Sequence, residues 1–312
     1  MKKLRVGLIG CGAMHANSSH LPQLCRLEGA SLAALCDLNE ESLHTAMEKY
    51  GVSQGFSDFR RMLEEVDLDA VFVIIRPSRL KDVVIPCFEK GLAVSVEKSP
   101  GTNASETEAM AEAAARNGCL NMVGFNRRFS PVVTKAREML RAGTGPLRIV
   151  GNFYRTYADS IETEHAGIHG LDMMRCLGGE VKKVVAKART RPGGERDSLS
   201  VILEYENGSM GSYLEKHYCG ETRECYEMHG DGVSVSIDYQ KALLRAFTAE
   251  DKQMKEMSDR DITGRSDPVE LSSSFWETKH FVDSVSANRC PFPDLKDSLK
   301  TMKLNELIFG NL

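Results

Sequence analysis

The sequence predicts an α/β protein in two parts: a doubly wound parallel sheet, then an open, mostly antiparallel sheet. Three observations lead there. The first 125 residues alternate short apolar runs with helical patterns, the mark of a parallel sheet wrapped by helices. Beyond about residue 145 the strands read as half-buried runs joined by hairpin turns. The 312 residues also exceed one ordinary core, since roughly 100–200 residues per domain is usual. The expected division is 1–125 and 126–312, with C-terminal residues packing back on the first domain.

Each element has its own signal. Strands are expected at "LRVGLI", "SLAALC", "DAVFVII", "LAVSVE" and "LNMVGF", ending at Ile9, Cys36, Ile75, Glu97 and Phe125. Helices fall between them at "NEESLHTAMEKY" and at the alanine-rich "NASETEAMAEAAARNG", closed by Gly118. In the second half, Asn207-Gly208 and Asp231-Gly232 each sit between alternating runs and predict β-hairpins. "LRIVGNFYRTY" and "VKKVVAKART" supply further strands. The polar stretch 249–269 reads as solvated loop, "SSSFWETKHFVDSVSA" as a helix over the second sheet, and "LKDSLKTMKLNELIF" as the closing helix.

Composition narrows the function classes. Hydrophobic residues make up 42% and charged residues 27%, ordinary globular usage. A net charge of −4 and a pI near 6.1 argue against a nucleic-acid partner, which would call for a clustered basic surface. The nine cysteines are scattered, mostly among apolar neighbours and without a CxxC pair, so buried, reduced thiols are expected. The apolar run after the N-terminal lysines stops at a glycine cluster, and no stretch approaches the ~20 residues of a membrane span. A cytoplasmic protein without membrane contact is the expectation.

"VGLIGCGAMH" places Gly10 and Gly12 directly after the first strand, where missing Cβ atoms let the backbone of Gly12, Ala13 and Met14 approach a pyrophosphate. His15 occupies the place of a third glycine. Asp37 follows the second strand, where a carboxylate accepts hydrogen bonds from a ribose and repels a 2′-phosphate, favouring NAD over NADP. It also reads as part of a helix cap, a role Asn39 serves equally well. Asp37, Arg76-Pro77, Glu97-Lys98 and Asn126-Arg127-Arg128 each stand past the carboxyl end of a predicted strand, the edge at which open parallel sheets bind ligands.

The glycine turn, "AALCDLNEESLHTAMEKYG", "DAVFVIIRP", "AVSVEKSP" and "MVGFNRRFSP", in this order, resemble the glucose-fructose oxidoreductase and inositol dehydrogenase family, Gfo/Idh/MocA, over nearly the whole chain. The resemblance implies a Rossmann domain, a C-terminal α/β domain, bound NAD(P), and oxidation or reduction of a sugar, cyclitol or polyol. The lysine of the family's EKP motif corresponds to Lys98, and the proton-transferring histidine of its D-x-x-x-H-x-x-D helix to His169. Four departures stand out. His165 replaces the aspartate of that helix, Ser99 separates Lys98 from Pro100, Lys81 replaces a histidine, and Arg76 replaces a small residue.

His165, His169 and Asp172, followed by Cys176, fall on one stripe of a helix. The stripe reads as a metal clamp, as packed structural residues beside Gly167 and Gly170, or as a catalytic face; we take the last and assign no metal. Lys98 and His169 are then the expected proton-transfer residues. His165, Asp172, Arg128 and Tyr154 are expected to bind substrate. Two other functions stay open: a redox-neutral NAD-dependent glycosidase or epimerase, and a catalytically silent nucleotide-binding regulator. Apolar alternation on the second-domain strands points to a homodimer or homotetramer through that sheet.

Overall fold

A computed structural model describes residues 3–141, 144–157, 167–194, 196–250 and 252–312. The chain forms two compact units: Met1–Asn126 with Pro268–Lys300, and Arg127–Asp267 with Thr301–Leu312.

In the first unit the sequence signals become β1 (Leu4–Ile9), α1 (Leu21–Arg26), β2 (Ala30–Cys36), α2 (Glu40–Tyr50), β3 (Gly55–Phe56), α3 (Phe59–Glu65), β4 (Ala70–Val73), α4 (Pro77–Glu89), β5 (Ala93–Val96), α5 (Ala104–Arg116) and β6 (Asn121–Val123). Among the described residues these six strands make one sheet in the order β3-β2-β1-β4-β5-β6, with every pairing parallel. β1 and β2 end where the apolar runs predict. β4, β5 and β6 stop one or two residues early, so Ile75, Glu97 and Phe125 lie in the loops beyond. Asn39 and Asn103 cap α2 and α5 by accepting from the amides of Ser42 and Glu106, both at 2.9 Å. β4 and β5 are buried at every position, as strands covered on both faces must be.

The second unit contains α6 (Pro131–Arg141), β7 (Thr144–Tyr154), α7 (Ile168–Gly178), β8 (Val181–Thr190), β9 (Arg196–Tyr205), β10 (Met210–Lys216), β11 (Arg223–Asp231), β12 (Val233–Asp238), β13 (Leu243–Thr248), β14 (Lys255–Ser258) and α8 (Asp259–Thr263). Its strands run in the order β14-β13-β12-β11-β7-β10-β9-β8, with β7 and β10 parallel and the other neighbours antiparallel. Both expected hairpins form, with Gly208 and Gly232 at φ 82° and 74°. α6 and α7 cover one face, over a core that includes Phe153, Tyr205, Tyr213 and Tyr226.

Two expectations are overturned. The stretch 249–269 is not plain loop: it contains β14 and α8, whose start carries a reciprocal Ser258–Asp261 capping box. Asp259 is buried there and accepts from the Val132 amide at 3.0 Å, a long-range contact that local polarity does not disclose. Following the short α9 (Pro268–Leu271), the helix at "SSSFWETKHFVDSVSA" forms as α10 (Ser273–Ser286), but it belongs to the first unit, against α1 and the turn before it. The chain after α10 bonds to β6, through Val123 N–H to Pro293 O and Leu295 N–H to Asn121 Oδ1, both 2.8 Å. α11 (Leu295–Gly310) closes the chain, and its Leu304 and Ile308 join the second core.

Candidate functional site

In the first unit the residues at issue gather at the carboxyl edge of the parallel sheet. After β1 the chain turns through Gly10, at φ 90°, where a Cβ would lie 2.2 Å from Ile74 O. Only glycine fits that approach. The Gly12 amide donates to Asp37 Oδ2 at 2.7 Å and the Asn39 amide to Asp37 Oδ1 at 2.9 Å. Asn39 itself caps α2, so Asp37 is not the cap: it ties the end of β2 to the glycine turn. Each of its oxygens retains acceptor capacity. Gly12 and Met14 are exposed and Ala13 half-buried, leaving the turn accessible to a ligand. A dinucleotide fits what is present: a tight glycine turn entering a helix, and a fixed carboxylate at the end of β2.

Pro77 is buried at the first turn of α4, and Arg76 before it is exposed. Lys81 approaches Glu106 at 4.0 Å. Glu97 and Lys98 follow β5, joined to Ser99 by a cis Lys98–Ser99 peptide. Lys98 is only 9% exposed, an uncommon state for a lysine. Burial pushes the Glu97 carboxyl up, but the neighbouring His20, Lys98 and His15 outweigh it and hold it below the ordinary carboxylate value. Asn126 donates to Ser274 Oγ at 3.2 Å.

The second unit is built around α7. His169 lies in its first turn and is 6% exposed. Gly167 and Gly170 are needed for close packing, as their sequence positions suggested: a Cβ at Gly167 would lie 2.5 Å from Glu215 Oε2, and at Gly170 2.1 Å from the Tyr213 hydroxyl. His165 lies outside the described residues.

Three residues expected at the substrate have partners within the protein. Arg128 forks onto Asp172, its Nε donating to Oδ2 at 2.7 Å and its Nη2 to Oδ1 at 2.5 Å, with both side chains buried. Thr301 donates to the same carboxylate at 2.9 Å and accepts from Arg175 at 2.7 Å. Asp172 thus anchors α7, with three hydrogen bonds accepted by its carboxylate. Tyr154 follows the buried Phe153 on β7 and by alternation faces away from α7; its hydroxyl donates to Asn152 at 2.9 Å.

Sequence reasoning missed a polar row beneath α7. Phe153 pairs across the sheet with Glu215 on one side and Glu224 on the other, and both glutamates are buried. The Tyr213 and Tyr226 hydroxyls each donate, at 3.0 Å, to the glutamate two positions away on the same face. Glu215 Oε1 meets His217 Nε2 at 2.9 Å, and Arg155 donates to Glu224 at 2.7 Å while lying over the Phe153 ring. Burial, then the adjacent glutamates, push both tyrosine hydroxyls well above their ordinary value. The signal was available: Glu215 and His217 continue the buried alternation of Gly211 and Tyr213, a charge placed where the pattern demands a core residue.

Residues 4–125 match the model of an oxidoreductase family with an NAD-binding Rossmann fold, GFO_IDH_MocA, and residues 164–236 match that family's C-terminal domain. The chain belongs to this family. Among its Gfo/Idh/MocA relatives is a D-apiose dehydrogenase from Paraburkholderia graminis, 26% identical over 99% of this chain and 88% of that protein. Another is the myo-inositol 2-dehydrogenase of Thermotoga maritima, 28% identical over 67% of each chain. The fold matches that of a levoglucosan dehydrogenase solved with NADH and levoglucosan, at a TM-score of 0.87 and 19% identity over 99% of this chain and 97% of that one. The α/β architecture and the NAD-binding oxidoreductase class read from the sequence are those of the family. No described helix is long and apolar enough to cross a membrane.

Proposed function

We propose that this Gfo/Idh/MocA oxidoreductase is an NAD-dependent dehydrogenase or reductase acting on a CH–OH carbon of a sugar, cyclitol or related polyol. The observation that carries the reading is Lys98, a lysine buried at the ligand edge of a dinucleotide-type sheet beside the ionised Glu97. The relatives named for apiose and inositol support the substrate class. Asp37 supports NAD over NADP, since its charge opposes a 2′-phosphate.

When bound, the nicotinamide supplies the hydride acceptor or donor. Lys98 donates a hydrogen bond to the reacting oxygen and stabilises negative charge developing there. His169 takes the hydroxyl proton during oxidation and returns it during reduction, the general acid–base role that imidazole commonly fills. His165 is retained as a candidate for neighbouring hydroxyls from the helical spacing. Nine free thiols support a reducing, cytoplasmic setting.

Fluorescence titration with NADH and NADPH, followed by nicotinamide absorbance against cyclitols, aldoses and keto sugars, tests the reading. The expected result is tighter binding of NADH and turnover of at least one compound. Lys98→Ala and His169→Ala should each lower kcat by roughly 10²–10⁴-fold with NADH affinity retained. Absence of NADH binding would sink the assignment, and binding with product but no net absorbance change would favour redox-neutral chemistry.

A further inference from the structure

Beside the loop after β5, side chains of α1, of α10 and of the turn before α1 form a buried polar chain. The neighbours of the Gln23 amide decide its orientation. With nitrogen toward Ser274 O and Thr278 Oγ1, both at 2.8 Å, and oxygen accepting from Phe275 N–H at 3.2 Å, each partner is satisfied. Thr278 Oγ1 then accepts from Gln23, and its own hydrogen is available to His20 Nδ1 at 3.2 Å. A neutral imidazole that accepts at Nδ1 carries its proton on Nε2. That atom faces Glu97 Oε2 at 3.8 Å.

His20, Thr278 and Gln23 are 4%, 0% and 2% exposed, so solvent does not compete for these partners. The Phe72 ring packs beside the imidazole, centroid to centroid 5.5 Å. His20 also ends a π-helical turn, Ala16–His20, an irregularity that tends to occur at functional sites. From these contacts we propose that His20 is a positioning residue, acting through Glu97 to hold the Glu97–Lys98 segment in the orientation the reaction uses. The inference rests on the dehydrogenase reading of Lys98.

The groups around Glu97 give the role a readout. His15, His20 and Lys98 favour its charge and burial opposes it. Glu277 of α10 is also near, because a Cβ on Gly124 would lie 3.1 Å from Glu277 Oε1 and 3.7 Å from Glu97 Oε2. Without His20, burial and the neighbouring carboxylate are opposed by Lys98 and His15 alone, and the Glu97 carboxyl rises. A neutral Glu97 then ceases to balance the Lys98 ammonium.

The test compares full-length wild type with His20→Leu and with His20→Gln, which keeps a side-chain N–H donor. Glu97 is followed by carbon-13 carboxyl titration, assigned by its loss in Glu97→Gln, alongside NADH fluorescence and the pH profile of kcat. His20→Leu should move the Glu97 midpoint up by about one pH unit and shift the acid limb of kcat the same way. It should also lower kcat roughly tenfold with little change in the KM for NAD. His20→Gln should restore both. Should His20→Leu not fold, Thr278→Val removes the hydroxyl that sets the tautomer and should shift the midpoint in the same direction. An unchanged midpoint and pH profile, or a Gln variant that tracks the Leu variant, overturns the proposal. A wild type that binds no NADH overturns the dehydrogenase reading first, which the unchanged-midpoint result does not touch.

Discussion

Asp37 accepts hydrogen bonds from Gly12 and Asn39 and so fixes the mouth of the glycine turn while remaining a negative charge at the end of β2. Both roles can be tested with one substitution. In Asp37→Ser, like-charge repulsion against a 2′-phosphate disappears, worth about 1 kcal/mol or more at contact distance. The ratio of NADPH to NADH affinity should therefore rise about fivefold or more, read from paired fluorescence titrations. An unchanged ratio would mean that Asp37 only braces the turn. Lys98 presents the complementary case: its position was legible, because a lysine following an apolar strand stands at the ligand edge. Its burial, at 9% exposed, belongs to the folded chain and does not follow from that position alone.

Between elements, the Arg128–Asp172 fork ties the turn at Asn126–Phe129 to α7, with Thr301 of α11 on the same carboxylate. Removing one partner of a buried ion pair leaves the other uncompensated, so Asp172→Ala should destabilise the fold by about 3–5 kcal/mol in denaturant unfolding. A raised KM with unchanged stability would return Asp172 to the substrate. At the start of α8, burial raises the Asp259 carboxyl from 3.8 to about 6, partly offset by the Val132 amide. The native state therefore holds this proton more tightly than the unfolded chain. The resulting stabilisation is complete below pH 3.8 and is lost as pH rises through about 6. Melting curves across that interval should show Asp259→Asn gaining on wild type as pH rises; parallel curves would contradict the burial argument.

For the whole molecule, the face of the second sheet turned away from α6 and α7 presents Val185, Ile202 and Leu214, which are 61%, 47% and 39% exposed on adjacent strands. An apolar patch of this kind on an exposed sheet face suits a second copy of the chain, so we propose a homodimer or homotetramer through this face. Light scattering at micromolar concentration should report the oligomer, and Ile202→Glu should shift it toward monomer. A monomeric wild type would refute the assembly.

Local backbone rules made much of the architecture readable. Short apolar runs marked the strands of the first sheet and period-two alternation those of the second, Asn207-Gly208 and Asp231-Gly232 the hairpins, Asn39 the cap, and the Gly10–Gly12 turn the nucleotide end; each signal lies within a few residues of the structure it specifies. Side-chain partnerships obey no such locality. Arg128 meets Asp172 across 44 residues, and His20 meets Thr278 across 258, because sheet register and helix packing bring them together. The family, the fold and the position of Lys98 could therefore be read along the chain. The engagement of Asp172, the buried Glu215–Phe153–Glu224 row and the bracing of Glu97 were decided by the tertiary structure, where a polar group's role depends on which acceptor burial leaves within reach.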